Sequence, residues 1–189
     1  MLHPLEMELK GTAVALGAVR HLHGKGLDCR LVRVTQWPVS ETERSQSDLR
    51  DLHVGVAPAE VARVTRRCDL LLAPSWAVEG FGLPVLEAIA SGLPVVASDI
   101  PAFRDLLGDW PALVPCDDAQ AFADAAHHLL TDRARWRQLR ARGLEIAREF
   151  SAVKTAKAVD DAMHWVADGA WRRNPAEPDQ EVRPEATRR

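Results

Sequence analysis

Residues 69–88 read Asp69-Leu70-Leu71-Leu72-Ala73-Pro74-Ser75-Trp76-Ala77-Val78-Glu79-Gly80-Phe81-Gly82-Leu83-Pro84-Val85-Leu86-Glu87-Ala88. The opening run, Asp69 to Ala73, is continuously apolar after its first residue, as expected for a parallel strand covered by helices on both faces. Gly80 and Gly82 would let the backbone turn sharply and approach a ligand closely. Pro84 presets the first turn of a helix from about Leu83 to Ser91. The stretch therefore reads as a buried strand, a tight loop and a helix.

The same units recur on either side. Pro94-Val95-Val96-Ala97-Ser98 is a second continuous strand, followed by a short helix near Phe103 to Leu107 and a strand at Ala112-Leu113-Val114. Upstream, Val14, Leu16, Val19 and Leu22 fall mostly at helical steps from Thr12 to Leu22, and Gly24 and Gly26 act as stops. Cys29 to Val34 is partly alternating and β-branched, predicting a strand; Ser40 to Asp51 is polar and predicts an exposed connection. A brief strand at Leu52 to Val54 precedes Pro58 and a helix through Val61, Val64 and Arg67. This β-α-β-α alternation predicts a Rossmann-like, doubly wound parallel sheet with right-handed crossovers, whose ligands bind beyond the carboxyl ends of the strands.

Three helices follow the sheet. Phe122, Ala126, Leu129 and Leu130 mark the first, Trp136, Leu139 and Ile146 the second, and Val153 through Trp165 the third, with Ser151 as its N-cap. The run from Asn174 to Glu181 is polar and proline-bearing, so residues 172–189 are expected to be a disordered tail behind one domain over 1–171. The sequence contains no internal repeat.

Composition excludes several classes of function. At 189 residues the chain suits one domain rather than two of ordinary size. A net charge of −3 gives no basis for expecting nucleic acid, which clustered Lys and Arg recognise through phosphates. No apolar run approaches the roughly 20 residues of a transmembrane segment. The expected location is cytoplasmic, with peripheral association at the inner face of the membrane as a further option. Three well-separated cysteines, Cys29, Cys68 and Cys116, read as buried thiols. His21, His23, His127 and His128 are spaced so that their side chains diverge on a helix, and no metal site is expected.

The chemistry lies in the loop at Glu79–Glu87. Amides near Phe81, Gly82 and Leu83, added to the helix dipole, would suit an anion such as pyrophosphate. Glu79 and Glu87 flank that position, and ionised carboxylates accept hydrogen bonds only, matching the hydroxyls of a sugar or ribose. A purely structural reading stands beside this one: Glu87 steadying its helix through the dipole, and Glu79 solvated in the loop.

The stretch resembles the Glu-x7-Glu segment of GT-B glycosyltransferases, family 4 in the usual classification. Lys10-Gly11, Asp69 to Ala73, Ser91 to Asp99 and Arg148-Glu149-Phe150-Ser151 are similar too, so the likeness covers roughly Lys10 to Trp165. It implies the C-terminal, donor-binding half of a GT-B fold. Such enzymes transfer a hexose from a nucleotide diphosphate sugar to an acceptor with retention of configuration and usually without a metal or other cofactor. By position, Glu87 would bind the ribose hydroxyls and Glu79 the donor sugar near the reacting carbon. Phe81, Gly82 and Leu83 would supply amides to the pyrophosphate and sugar, and Lys10 would neutralise the diphosphate, with Glu79 and Lys10 forming the catalytic pair.

The chain departs from the family at its start. Relatives open this domain with a buried strand ending in Gly-Arg, whose arginine is a second diphosphate cation; here Pro4 or Leu5 stands at that place. A doubly wound sheet lacking its first central strand leaves two strands without a neighbour, so the sheet either closes up or the slot is filled otherwise. A fragment is expected: a truncated gene, a late start, or half of a split enzyme whose partner is a separate N-terminal acceptor domain. Self-association through Trp165 and Trp171 is the other expected contact. The alternative function is a non-catalytic nucleotide-binding or interaction module derived from a glycosyltransferase. GT-B epimerases and phosphorylases share the architecture, and the Glu79–Glu87 segment argues against them. Val54-Gly55-Val56 is expected near the base, and Asp99 is expected to cap the helix that follows it.

Overall fold

The computed structural model describes residues 9–36, 38–39, 49–76 and 79–169. Contacts divide the chain into two compact units, Met1–Glu149 and Phe150–Arg189. The first contains α1 (Thr12–Gly24), β1 (Leu31–Thr35), β2 (Leu49–Val54), α2 (Pro58–Thr65), β3 (Leu71–Ala73), α3 (Leu83–Ala90), β4 (Val95–Ser98), α4 (Pro101–Leu107), β5 (Leu113–Val114), α5 (Ala119–Thr131) and α6 (Arg133–Glu149). The second contains α7 (Ala152–Ala167), where the Ser151 hydroxyl accepts the Lys154 amide at 3.3 Å, as expected for an N-cap. The predicted tail over 172–189, and Trp171, lie outside the described residues.

The order of elements matches the expected alternation, and the α/β Rossmann-like architecture holds. All strand pairs among the described residues are parallel. β2 is longer than expected: Leu49 to Asp51, read as part of a polar connection, pair with β1, Asp51 standing opposite Val32. A neighbouring strand supplies hydrogen bonds that local polarity does not reveal.

The sheet is interrupted. β1 pairs only with β2, while β3, β4 and β5 form a second sheet in that order. No described strand lies between β1 and β3. Instead, three cavities are each lined by residues of both strands or their immediate extensions, Leu31–Gln36 on one side and Leu70–Ser75 on the other. Among the described residues the two sheets share no strand pairing.

The core lies on the β3–β4–β5 side. All four residues of β4 are buried, which accounts for its unbroken apolar sequence. α1 packs on α5 over one face, and α3 packs on α6 over the other. Gly17 permits the first contact, because a Cβ there would stand 2.8 Å from the Ala119 methyl. Gly143 permits the second by lying against Ile89 and Trp110. Phe103 and Phe122, both essentially inaccessible, fill the space between these helices and β4.

Trp110 does more than fill space. In the parallel register, alternate residues of β4 turn their backbone groups toward β5, and Ala97 donates to Ala112 at 3.1 Å. Val95 points the same way, but β5 begins too late to meet it. The Trp110 indole Nε1 donates to the Val95 carbonyl at 2.9 Å instead. Trp110→Phe deletes the donor and also the five-membered ring at a buried site, so urea unfolding is expected to show a loss above the roughly 1–3 kcal/mol of an unsatisfied buried acceptor alone. An unchanged midpoint would mean that the indole hydrogen bond contributes nothing.

Candidate functional site

The loop after β3 and the start of α1 converge at the carboxyl ends of the strands. Gly11 has φ 64°, and a Cβ there would run into the Pro74 carbonyl, so the residue before α1 lies directly on the end of β3. The Trp76 amide donates to the Leu9 carbonyl at 2.9 Å and ties the same two segments. These constraints put Lys10 beside Glu79, 69 residues away in sequence.

Glu79 is the centre of the cluster. Its Oε2 accepts from Lys10 Nζ at 2.5 Å and from the Ser75 hydroxyl at 3.3 Å, and its carboxylate also accepts the Gly82 amide. Its side chain is 13% exposed, whereas that of Lys10 is 56% exposed, so the carboxylate is held inside the site and the ammonium reaches it from solvent. Burial works to raise the Glu79 pKa, but the Lys10 ammonium and the Ser75 and Gly82 hydrogen bonds outweigh it and hold the carboxyl below the usual carboxylate range. An anionic group thus already occupies the amino end of α3, where the helix dipole favours it.

The two glycines of the loop differ. Gly82 is the N-cap of α3 at φ 90°, ψ 44°, and a Cβ there would stand 2.6 Å from Phe103 Cε1. Only glycine meets both demands. Gly80, read from the sequence as equally necessary, lacks a left-handed φ and has open space where a Cβ would go. Pro84 occupies the first turn of α3 as expected. Phe81 and Leu83 are exposed at 43% and 60%, so the amino end of α3 faces outward.

Glu87 lies one turn further along α3, is exposed, and lines a cavity of about 750 Å³. Glu79 lines an adjoining cavity of about 680 Å³ with Gly82 and Phe103. Lys10, Arg33 and Pro84 line both, so the two carboxylates border one continuous cleft. Ser75 and Arg33 were not singled out by the sequence reading. Ser75 stands four residues before Glu79, a spacing that carries no signal in a loop. The signal for Arg33 is a charge within an otherwise apolar strand.

Other expectations need correction. Asp99 does not cap α4: Ile100 is the N-cap, and the Asp99 carboxylate instead takes the Arg104 guanidinium in a two-pronged pair at 2.5 and 2.7 Å. A bidentate ion pair prevailed over a single amide bond. The cysteines are not all buried; Cys29 and Cys68 are half-buried, and Cys116 is exposed in the turn after β5. Burial pushes the Cys68 thiol up, away from the reactive thiolate. Gly55, between Val54 and Val56, donates its amide to the Thr35 carbonyl at 2.8 Å, which puts that segment at the carboxyl ends of β1 and β2. Among the described residues no cluster of His, Cys, Asp and Glu could hold a metal ion, and no helix is long and apolar enough to cross a membrane.

Two outcomes follow from this geometry. Gly82→Ala is expected to cost about 1–3 kcal/mol in backbone strain, with a further loss from displacing Phe103, whereas Gly80→Ala should stay within about 0.5 kcal/mol of the parent in thermal or urea unfolding. Equal effects would remove the distinction between them. The depressed Glu79 pKa contributes stability that is fully present above the usual carboxylate range and is lost as the pH falls through the depressed value. Glu79→Gln should therefore flatten the acid limb of the stability–pH curve, and a curve of unchanged shape would contradict the pairing with Lys10.

Comparison with known proteins identifies the family. The model of the family described as glycosyl transferases group 1 matches residues 2–132. A phosphatidyl-myo-inositol mannosyltransferase of Mycolicibacterium smegmatis is 38% identical over 129 residues, covering 65% of this chain and 33% of that protein. The lipopolysaccharide core biosynthesis mannosyltransferase LpsB of Rhizobium meliloti is 39% identical over 100 residues, covering 50% of this chain and 28% of that protein. Among solved structures, Anabaena HepE in complex with UDP and glucose superposes with a TM-score of 0.71 at 18% identity, covering 86% of this chain and 46% of that one. The chain thus spans a third or less of the length of these two curated relatives, and the structural likeness speaks for the fold. With the matched region embracing the sheet, the Lys10 segment and the Glu79–Glu87 loop, the chain belongs to the glycosyl transferases group 1 family.

Proposed function

We propose that this chain is the donor-binding half of a retaining GT-B glycosyltransferase of family 4, passing a hexose from a nucleotide diphosphate sugar to an acceptor held by a separate domain. The observation that carries this reading is the Glu79 carboxylate seated at the amino end of α3 under the Lys10 ammonium, with Glu87 bordering the same cleft. The names of the mannosyltransferase relatives support a hexose, and the UDP and glucose held by the Anabaena structure support a nucleotide-sugar donor.

The arrangement suggests how the residues divide the work. An incoming diphosphate competes with Glu79 for Lys10 and for the Gly82 amide. As the diphosphate takes these partners, the Glu79 carboxylate turns to the sugar hydroxyls near the reacting carbon. Glu87, one turn deeper along α3, accepts the ribose hydroxyls. Lys10 and the helix dipole then meet the negative charge that grows on the leaving diphosphate, which is where electrostatic stabilisation acts most strongly on the rate. No metal or cofactor enters this scheme.

Calorimetry of the chain with UDP, GDP and ADP tests the donor site. Glu87→Ala is expected to weaken whichever nucleotide binds by roughly 10- to 100-fold, the value of charge-assisted hydrogen bonds, and to leave the affinity of the matching 2′,3′-dideoxynucleotide unaltered. A variant that binds the ribonucleotide as tightly as the parent removes the ribose assignment. A parent that binds none of the three removes the donor site.

A further inference from the structure

Among the described residues outside the cleft, positive charge is most concentrated on α6. Its sequence holds six arginines against two glutamates. Leu139 and Gly143 turn one face into the core, and Arg142 pairs with the Asp109 carboxylate. At about 100° per residue, Arg133, Arg137, Arg140 and Arg148 fall within an arc of about 80°, and Glu145 and Glu149 lie beyond its edge. All four arginines are exposed, and the row they form runs for about 22 Å along the helix.

Solvated helix faces elsewhere in this chain mix their signs. Arg63 meets both carboxylate oxygens of Glu60 on α2, and Lys157 meets Asp161 on α7. The α6 row does the opposite. Arg137 has Arg133 four residues before it and Arg140 three residues after it, spacings at which like charges destabilise a helix. Arg133 also stands in a first turn that holds no acidic residue, where the helix dipole disfavours cations. None of the four has a carboxylate partner among the described residues. Trp136 draws two of them together, the Arg133 and Arg140 guanidiniums lying 4.8 and 5.8 Å from its ring centroid. Stacking uses the flat face of a guanidinium and leaves its in-plane donors for an acceptor. An arrangement kept against local stability marks a functional surface.

We propose that this row is a docking surface for the phosphate layer of an anionic lipid bilayer. Guanidinium forks match phosphate oxygens in pairs, and a straight row on a convex helix meets a flat layer of headgroups along its whole length. Leu139 and Gly143 face the core, so α6 does not insert and the contact is electrostatic. Single-stranded nucleic acid fits less well, because its binding adds aromatic platforms for bases and Trp136 is already covered by Arg133 and Arg140. The row is independent of the donor cleft: Trp136 donates to the Asp69 carbonyl at 2.8 Å, ahead of β3, whereas Glu79 follows the other end of that strand.

Flotation of the full chain with vesicles of phosphatidylcholine, and of equal parts phosphatidylcholine and phosphatidylglycerol, is the test. The parent is expected to bind only the mixed vesicles and to release them in high salt. Arg137→Gln/Arg148→Gln should weaken that binding roughly 10- to 30-fold, with a melting temperature equal to the parent's or higher because a like-charge neighbour is gone. Arg63→Gln/Arg104→Gln removes the same charge away from the row and should bind within about twofold of the parent. Equal losses in the two double variants would make net charge the cause and overturn the proposal. So would a parent that binds neither vesicle or binds the neutral one as well, or a row variant that melts earlier while its vesicle binding is kept. Fluorescence anisotropy with duplex and single-stranded oligonucleotides covers the other polyanion: binding there that falls in the row variant while vesicle binding is unchanged assigns the surface to nucleic acid and overturns the lipid reading.

Discussion

The site depends on one shared carboxylate. Glu79 joins three segments: Lys10 from the approach to α1, Ser75 from the end of β3, and the Gly82 amide from the start of α3. Ser75 and Gly82 lie within four residues of Glu79 and Lys10 lies 69 away, and the close seating of Gly11 on Pro74 is what brings the lysine within reach. The same carboxylate that completes the loop also occupies its anion position. Under the proposed function, structural order in the loop and affinity for an incoming anion draw on the same donors, so the ion pair that steadies the loop is exchanged when a diphosphate enters.

Around that junction the molecule is uneven. β4 is buried along its whole length, while β3 and β5 on either side of it are largely half-buried. β1 and β2 form a separate pair whose five β1 residues are all half-buried. The facing edges of β1 and β3 lack a described strand partner. Arg33 is half-buried in β1, and its guanidinium donates to the Thr12 hydroxyl. A central strand covered on both faces and both edges would bury a guanidinium at a cost of several kcal/mol.

Much of this was legible in the sequence because it rests on period and on single-residue chemistry. The unbroken runs at Leu70–Ala73 and Pro94–Ser98 announced covered parallel strands, Pro84 marked the start of α3, and the Glu79–Glu87 spacing pointed to the cleft. What was hidden depended on partners distant in the chain. Leu49 to Asp51 look like loop until β1 supplies their hydrogen bonds. Asp99 has the composition of a cap, but Arg104 claims it. Gly80 and Gly82 are indistinguishable by composition, and only the packing of Phe103 separates them. Arg33 reads as an irregularity in a strand until its bond to the Thr12 hydroxyl is seen.

The junction of α5 and α6 has a mechanical consequence. Asp132 alone separates the two helices, and its carboxylate accepts the amides of Ala134 and Arg135 at 2.9 and 3.0 Å. Trp136, in the first turn beyond it, donates its indole to the Asp69 carbonyl at 2.8 Å, just before β3. The chain thus passes from one face of the sheet to the other around a one-residue corner pinned to the foot of β3. Such a corner has no slack. α3 packs on α6, so the helix that carries Glu87 is tied through α6 to the same corner.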